Sequence, residues 1–282
     1  MSGRTALVWH ELMMWHDTGS GAAELPAGGW LEPHTHAESP ATKRRLKNLL
    51  DACGLTAQLD VITPRPATEA QIERVHERAY VQRIRELSAG RGGDAGGETP
   101  FGAGSYEIAL LAAGGTIAAF ETVLSGRAAN AYALVRPPGH HALPGEGMGF
   151  CIFANVAVAI RHVRAEHGVE RVAVVDWDVH HGNGTQAVFE DDPAVLAVSL
   201  HQDGLYPAGS GALGENGRGA GAGATLNVPL PAGSGRGAYV AAFEQVVVPA
   251  LERFRPQLIV VASGFDAAAL DPLGRMLLTG RA

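Results

Sequence analysis

Three stretches of this chain place histidine and aspartate directly behind short apolar runs. Asp176-Trp177-Asp178-Val179-His180-His181-Gly182-Asn183-Gly184 follows the run 171–175, Arg136-Pro137-Pro138-Gly139-His140-His141 follows 131–135, and Ser263-Gly264-Phe265-Asp266 follows 258–262. In an extended chain, side chains alternate faces, so Asp176, Asp178 and His180 point one way and Trp177 and Val179 the other. Two carboxylates and an imidazole on one face repel or desolvate badly unless a cation joins them. Asp178 and His180 suit one divalent ion, Asp266 supplies a third ligand, and Asp176 is free to orient a neighbour. Three protein ligands with an open position are the arrangement of a catalytic site rather than a closed structural one. Carboxylate and imidazole without thiolate fit Zn²⁺, Fe²⁺, Co²⁺ or Mn²⁺, and availability favours zinc. A single aspartate behind a strand more often caps the next helix; three strand ends converging on the same residue types argue for chemistry. His140 and His141, behind a rigid Pro-Pro-Gly turn, suit a pair of bases with different partners and hence separated pKa values. Asp176 and Asn183 are the available partners.

The elements that must position these residues are legible from periodicity. Runs 6–9, 131–135, 171–175, 195–200 and 258–262 read as strands, the last three apolar on both faces. Segments 42–53, 69–87, 106–124, 150–166 and 239–254 carry helical spacing. Strands apolar on both faces alternating with helices predict a parallel sheet covered on each side. In such sheets ligands bind beyond the carboxyl ends of the strands, where the three motifs lie. The glycine-rich segment 208–224 reads as a long functional loop.

Composition narrows the rest. The 282 residues carry a net charge of −7, which argues against a general nucleic-acid binder and leaves a cationic small substrate or basic peptide possible. Two cysteines far apart, Cys53 and Cys151, give no disulfide framework and fit a reducing compartment. The N-terminus lacks the pattern of a secretory signal, and no run of about 18 consecutive apolar residues occurs. The expectation is a cytoplasmic protein without a membrane partner. Acidic Glu11, Asp17, Glu24 and Asp203 read as candidates for a rim that favours a cationic amine. His34 and His36 read as solvated loop histidines, His10 and His16 as packing or rim residues, and His76, His162 and His167 as surface or half-buried helix residues. His181 and His201 read as possible supports of the site, and Cys151 as a small buried apolar residue.

Taken together, RPPGHH, GFCIFANVAVA, VVDWDVHHGNGTQ, SLHQDGLYP and SGFDA, in this order and spacing, closely resemble the histone deacetylase superfamily. The Asn at 183, the HQDG segment and VWHELMMWHDTGS are most similar to bacterial class II-type histone deacetylase-like amidohydrolases, with acetylpolyamine amidohydrolases as near relatives. The resemblance implies a single-domain three-layer α/β/α fold with a mainly parallel sheet over residues 1–282. It implies one Zn²⁺ on Asp178, His180 and Asp266. It implies His141 as general base and His140 as its partner histidine, supported by Asn183 and Asp176. It places Gly149 and Phe150 on one wall of an acyl-lysine tunnel and Tyr206 near the opposite wall. It implies a structural monovalent cation, usually K⁺, held by carbonyls of Asp176, Asp178 and His180 with Ser199 and Leu200. The implied reaction is metal-assisted removal of an acetyl or other short acyl group from an acyl-lysine peptide or a small acetylated polyamine, with homo-oligomerisation possible.

The resemblance also has a departure. The family continues past the GFD strand to a Gly-Gly-Tyr loop whose tyrosine donates to the developing oxyanion. Here Asp266 is followed by 16 residues without tyrosine. Loss of one such donor typically costs ~10²–10³ in rate, and a missing strand inside the sheet leaves pairing edges open. The expectation is a domain incomplete at its C-terminus, weakly active and poorly soluble. Two other readings remain: a non-catalytic zinc homologue, and a manganese ureohydrolase, which needs a second Asp-rich cluster where this chain has GFD followed by three alanines.

Overall fold

The computed structural model describes residues 3–22 and 25–280. Contacts divide the chain into two compact units, one up to His167 and one from Gly168. Each has its own parallel sheet.

In the first unit, β1 (Thr5–Val8), β2 (Asp60–Ile62) and β3 (Asn130–Ala133) form a parallel sheet in the order β2-β1-β3. Ala6 pairs with Asp60 on one side and Ala131 on the other. Ala6, Leu7 and Val8 are fully buried, which suits a central strand. Among the described residues, five α-helices belong to this unit: α1 (Pro40–Ala52), α2 (Glu69–Ile72), α3 (Arg78–Ala89), α4 (Ser105–Leu124) and α5 (Asn155–His167). By length and composition α4 could cross a membrane. It is instead two-thirds buried inside the unit, packed on β1, β3 and α5. Its Ile108 and Leu111 join Met13 and Met14 in a small apolar cluster.

Two predicted helices differ here. The segment 69–87 is broken between α2 and α3. The Glu77 amide bonds the Pro144 carbonyl at 2.9 Å instead of continuing the helix. Buried His76 accepts the Ala154 amide on Nε2 at 2.9 Å and faces the Pro144 carbonyl with Nδ1 at 3.3 Å. Tertiary hydrogen bonds thus override a favourable periodicity. The segment 150–166 begins helically only at Asn155. Gly149 and Phe150 have φ of +51° and +69°, values no right-handed helix accepts.

In the second unit, β4 (Val172–Asp176), β5 (Val195–Gln202), β6 (Thr225–Leu230) and β7 (Leu258–Ala262) form a parallel sheet ordered β6-β5-β4-β7. Helix α6 (Asn183–Phe189) follows β4, while α7 (Arg236–Ala242) and α8 (Val248–Phe254) precede β7. Between α7 and α8 the helix widens into a π-type turn, Phe243–Val247. Pro249 supplies the reason, since it has no N–H to give the carbonyl four residues earlier. The core gathers Val175, Val179, Val198, Leu200, Val247 and Met276. β6 was not read from the sequence: it lies at an edge and holds Pro229, which depresses a strand signal. β7 is also an edge strand, as the open pairing edge expected at the GFD strand requires, but it is not covered on both faces as expected: Ile259 and Val261 are 52% and 40% exposed.

Candidate functional site

The register of β4 builds the metal-type cluster in the second unit. Asp176, the last residue of β4, pairs with Ser199 of β5 and Ala262 of β7. The chain therefore leaves β4 beside the turn that leaves β7. Short side-chain-to-backbone bonds then shape the loop. Asp176 Oδ1 accepts the Asp178 amide at 3.1 Å, and Asp178 Oδ1 accepts the His180 amide at 2.9 Å. Asp266 Oδ1 reaches across to accept the Val179 amide at 2.8 Å. His180 Nδ1 is 2.9 Å from Asp178 Oδ1 and 3.0 Å from Asp266 Oδ2. The sequence thus named three residues whose ligand atoms lie within 4.8 Å of one another.

The electrostatics are those of a cation site. Burial alone would lower the His180 pKa, yet hydrogen bonds and charge from Asp178 and Asp266 carry it up to about 10. Burial and the Asp178 charge hold the Asp266 carboxyl above its ordinary value. The cluster balances two carboxylates with one proton on His180; a divalent cation would do the same with two charges. Gly264 is a requirement of this packing. A Cβ there would meet Asp178 Oδ2 at 2.1 Å, Cγ at 2.6 Å and Cβ at 2.8 Å. Gly264 could have been singled out from the sequence only as part of the GFD string, because the clash comes from another strand end.

Around the cluster, the Tyr206 ring stands perpendicular to His180, with centroids 6.0 Å apart, and its carbonyl accepts the His181 amide at 3.0 Å. Asn183 opens α6. His181 and His201 meet as a tilted pair with centroids 4.8 Å apart. His181 bonds Ser210 and Gln186, while His201 bonds Ser199 and the Gly211 carbonyl, so both fasten the loop after Tyr206. Asp176, Gly182, Thr185, Gln186, Ser199 and Asn227, together with apolar Ala197 and Val198, line a cavity of about 10 Å³, roughly the room one water-sized body needs. Leu200 is buried in the adjoining strand. Tyr239 was missed by the sequence reading. Its buried hydroxyl has no partner, and burial with the Asp266 and Asp178 charges pushes it up to about 12.

The first unit holds the histidine pair. His140 and His141 have ring centroids 3.9 Å apart; His141 is 3% exposed and His140 is half-buried. Their turn is anchored from both ends. Asn155 donates to the Pro137 carbonyl at 3.0 Å. Arg136, fully buried, bonds both carboxylate oxygens of Glu38 through Nε at 2.9 and 2.8 Å and reaches the His16 carbonyl. Burial would raise the Glu38 carboxyl, but Lys43, Arg136 and His16 together hold it below the ordinary range. Burial pushes His16 and His76 down to about 4. The solvated-loop expectation holds for His34, which is exposed, and fails for His36, which is 4% exposed. His76 and His162 are likewise buried rather than at the surface. Cys151 is buried, as its neighbours suggested, and Cys53 is exposed.

Of the acidic rim residues, Glu11 pairs with Arg44, Asp17 accepts the Gly19 amide and Asp203 is exposed; Glu24 lies outside the described residues. A second group, Glu121, His162 and His167, also draws ligand atoms within 4.8 Å of one another. It is wired differently. Gln71 Oε1 is committed to the Thr68 amide at 2.8 Å, so its NH₂ group faces His162 Nδ1 at 3.2 Å. The His162 proton therefore sits on Nε2, donating to Glu121 at 2.9 Å, and no lone pair remains there for a cation.

Comparison with known proteins gives the family. The histone deacetylase domain model matches residues 36–282. A histone deacetylase-like amidohydrolase of Pseudomonas aeruginosa is 57% identical over 281 residues, 99% of this chain and 74% of that protein. The human polyamine deacetylase HDAC10 is 38% identical over 291 residues, 98% of this chain and 41% of its own length. The solved HDA15 HD domain superposes with a TM-score of 0.90 at 36% identity, covering 99% of this chain and 76% of that one. With its parallel α/β sheets and these motifs, the chain belongs to the histone deacetylase family of hydrolases.

Proposed function

We propose that this protein is a zinc-dependent amide hydrolase that removes acetyl or other short acyl groups from acyl-lysine or acetylated polyamines. One observation carries the reading: Asp178, His180 and Asp266 converge on a single point with carboxylate and imidazole donors and no thiolate. These three residues would hold the Zn²⁺, which when bound supplies Lewis acidity toward the amide carbonyl and the attacking water. The names of the Pseudomonas and human relatives support a linear amide as substrate.

His141 takes the proton of the attacking water, and the pair returns it to the leaving amine. The two rings lie 3.9 Å apart, centroid to centroid, so the partner stands within reach of the base. Asp176 and Asn183 fill the supporting roles given by the resemblance. The resemblance gives Gly149 and Phe150 the role of one wall against the aliphatic stem, and Tyr206 the role of the opposite wall. A structural K⁺ would be held by the carbonyls of Asp176, Asp178 and His180 with Ser199 and Leu200; Asp176 and Ser199 border the small cavity. Two free cysteines suit a reducing, cytoplasmic setting.

Metal analysis with an acetate-release assay tests this on acetyl-lysine peptide and acetylated polyamine. One zinc per chain and turnover that H180A and D266A abolish is the expected result. A protein that takes up no transition metal, or releases acetate undiminished in both variants, overturns the reading. Two manganese ions with urea release would replace it with a ureohydrolase.

A further inference from the structure

Phe150 sits in a backbone conformation that an aromatic residue rarely adopts, at φ +69°. Such strain persists only where the surroundings over-determine it. The Gly149 amide donates to Gly97 at 3.0 Å, the Phe150 amide to Glu98 at 3.2 Å and the Cys151 amide to Met148 at 2.9 Å. These bonds hold the main chain.

The ring is met by His36, edge to face, with centroids 5.0 Å apart and planes at 79°. His36 Nδ1 accepts the Glu38 amide at 3.1 Å, so the ring proton is on Nε2. That Nε2 is buried and has no hydrogen-bond partner among the described residues. A buried N–H without an acceptor is costly, and a T-shaped aromatic pair is a favourable contact that offsets part of the loss. Glu38 is itself clamped by Arg136 at 2.8 Å. Arg136, Glu38, His36 and Phe150 thus form a chain of fixed groups.

We propose that His36 is a positioning residue: it fixes the Phe150 ring and thereby sets how tightly the passage grips the aliphatic stem of the acyl-amine. This rests on the proposed function, which places Phe150 in that passage.

A double-mutant cycle tests it. H36A raises KM for an acetyl-lysine peptide about 3- to 10-fold, the scale of one aromatic pair, with kcat and zinc content unchanged. In an F150A background H36A adds nothing. H36F, which keeps an aromatic edge, restores most of the affinity and covers the case in which H36A fails to fold. An H36A effect that persists in F150A, or that falls on kcat, overturns the proposal. A fluorine label on the ring of residue 150 gives a readout independent of turnover. Its resonance shifts and narrows in H36A and stays near wild type in H36F; an unmoved resonance in H36A also overturns the proposal. Absence of turnover in the wild type would count against the hydrolase reading, while the fluorine result would still decide the role of His36.

Discussion

Replacing Gly264 with alanine attacks the candidate metal cluster without touching a ligand. The added Cβ would lie 2.1, 2.6 and 2.8 Å from Oδ2, Cγ and Cβ of Asp178. Rotating the carboxylate relieves only the first two contacts. The third involves an atom fixed to the backbone, so one of the two loops must move. Asp266 lies two residues from the substitution, and its Oδ1 holds the Val179 amide at 2.8 Å. Displacement of either loop therefore separates Asp178 from Asp266. Metal–ligand distances tolerate about 0.2 Å, and disturbing the groups that orient ligands typically costs 10- to 100-fold in affinity. G264A should bind zinc about 10- to 100-fold more weakly, with an overpacking cost of roughly 1–3 kcal/mol in stability. Competition against a chromophoric chelator reads the affinity, and urea unfolding of the metal-free protein reads the stability. Gly237, at the start of α7, has nothing within 4 Å of its would-be Cβ. G237A should leave zinc affinity unchanged and stability equal or improved by up to about 1 kcal/mol. Zinc affinity in G264A equal to that of G237A would show the geometric reasoning to be wrong.

Other consequences follow from the same structure. Glu38→Ala leaves Arg136 buried without its carboxylate and should cost about 3–5 kcal/mol, seen as a lower urea midpoint. His16 and His76 have native pKa values near 4 against an ordinary 6.5. The unfolded chain therefore takes up protons first as pH falls, so stability is intact above about pH 6.5 and each histidine removes about 3 kcal/mol by pH 4. Urea midpoints between pH 8 and 4 should show this slope, and H76Q should flatten it. Stripping the metal with a chelator should lower the melting temperature of the wild type and leave D266A, already without tight binding, unmoved.

The sequence alone carried the strand-end motifs, the parallel α/β class and the identity of Asp178, His180 and Asp266. Residue type and alternation are local properties, and the chemistry of two carboxylates beside an imidazole does not depend on where the chain goes next. The family resemblance was legible for the same reason. Tertiary structure decided the rest. Whether 69–87 stays one helix depended on the Pro144 carbonyl and the Ala154 amide, far away in sequence. The same holds for His36, whose Gly/Pro-rich surroundings read as solvent-facing until Phe150 and Glu38 packed against it. Gly264 looked like any loop glycine; only the pairing of Asp176 with Ala262 brings another strand's aspartate against it. The faces of β7 read as covered, yet Ile259 and Val261 are partly exposed; hydropathy shows that a strand is apolar and does not encode what packs against it.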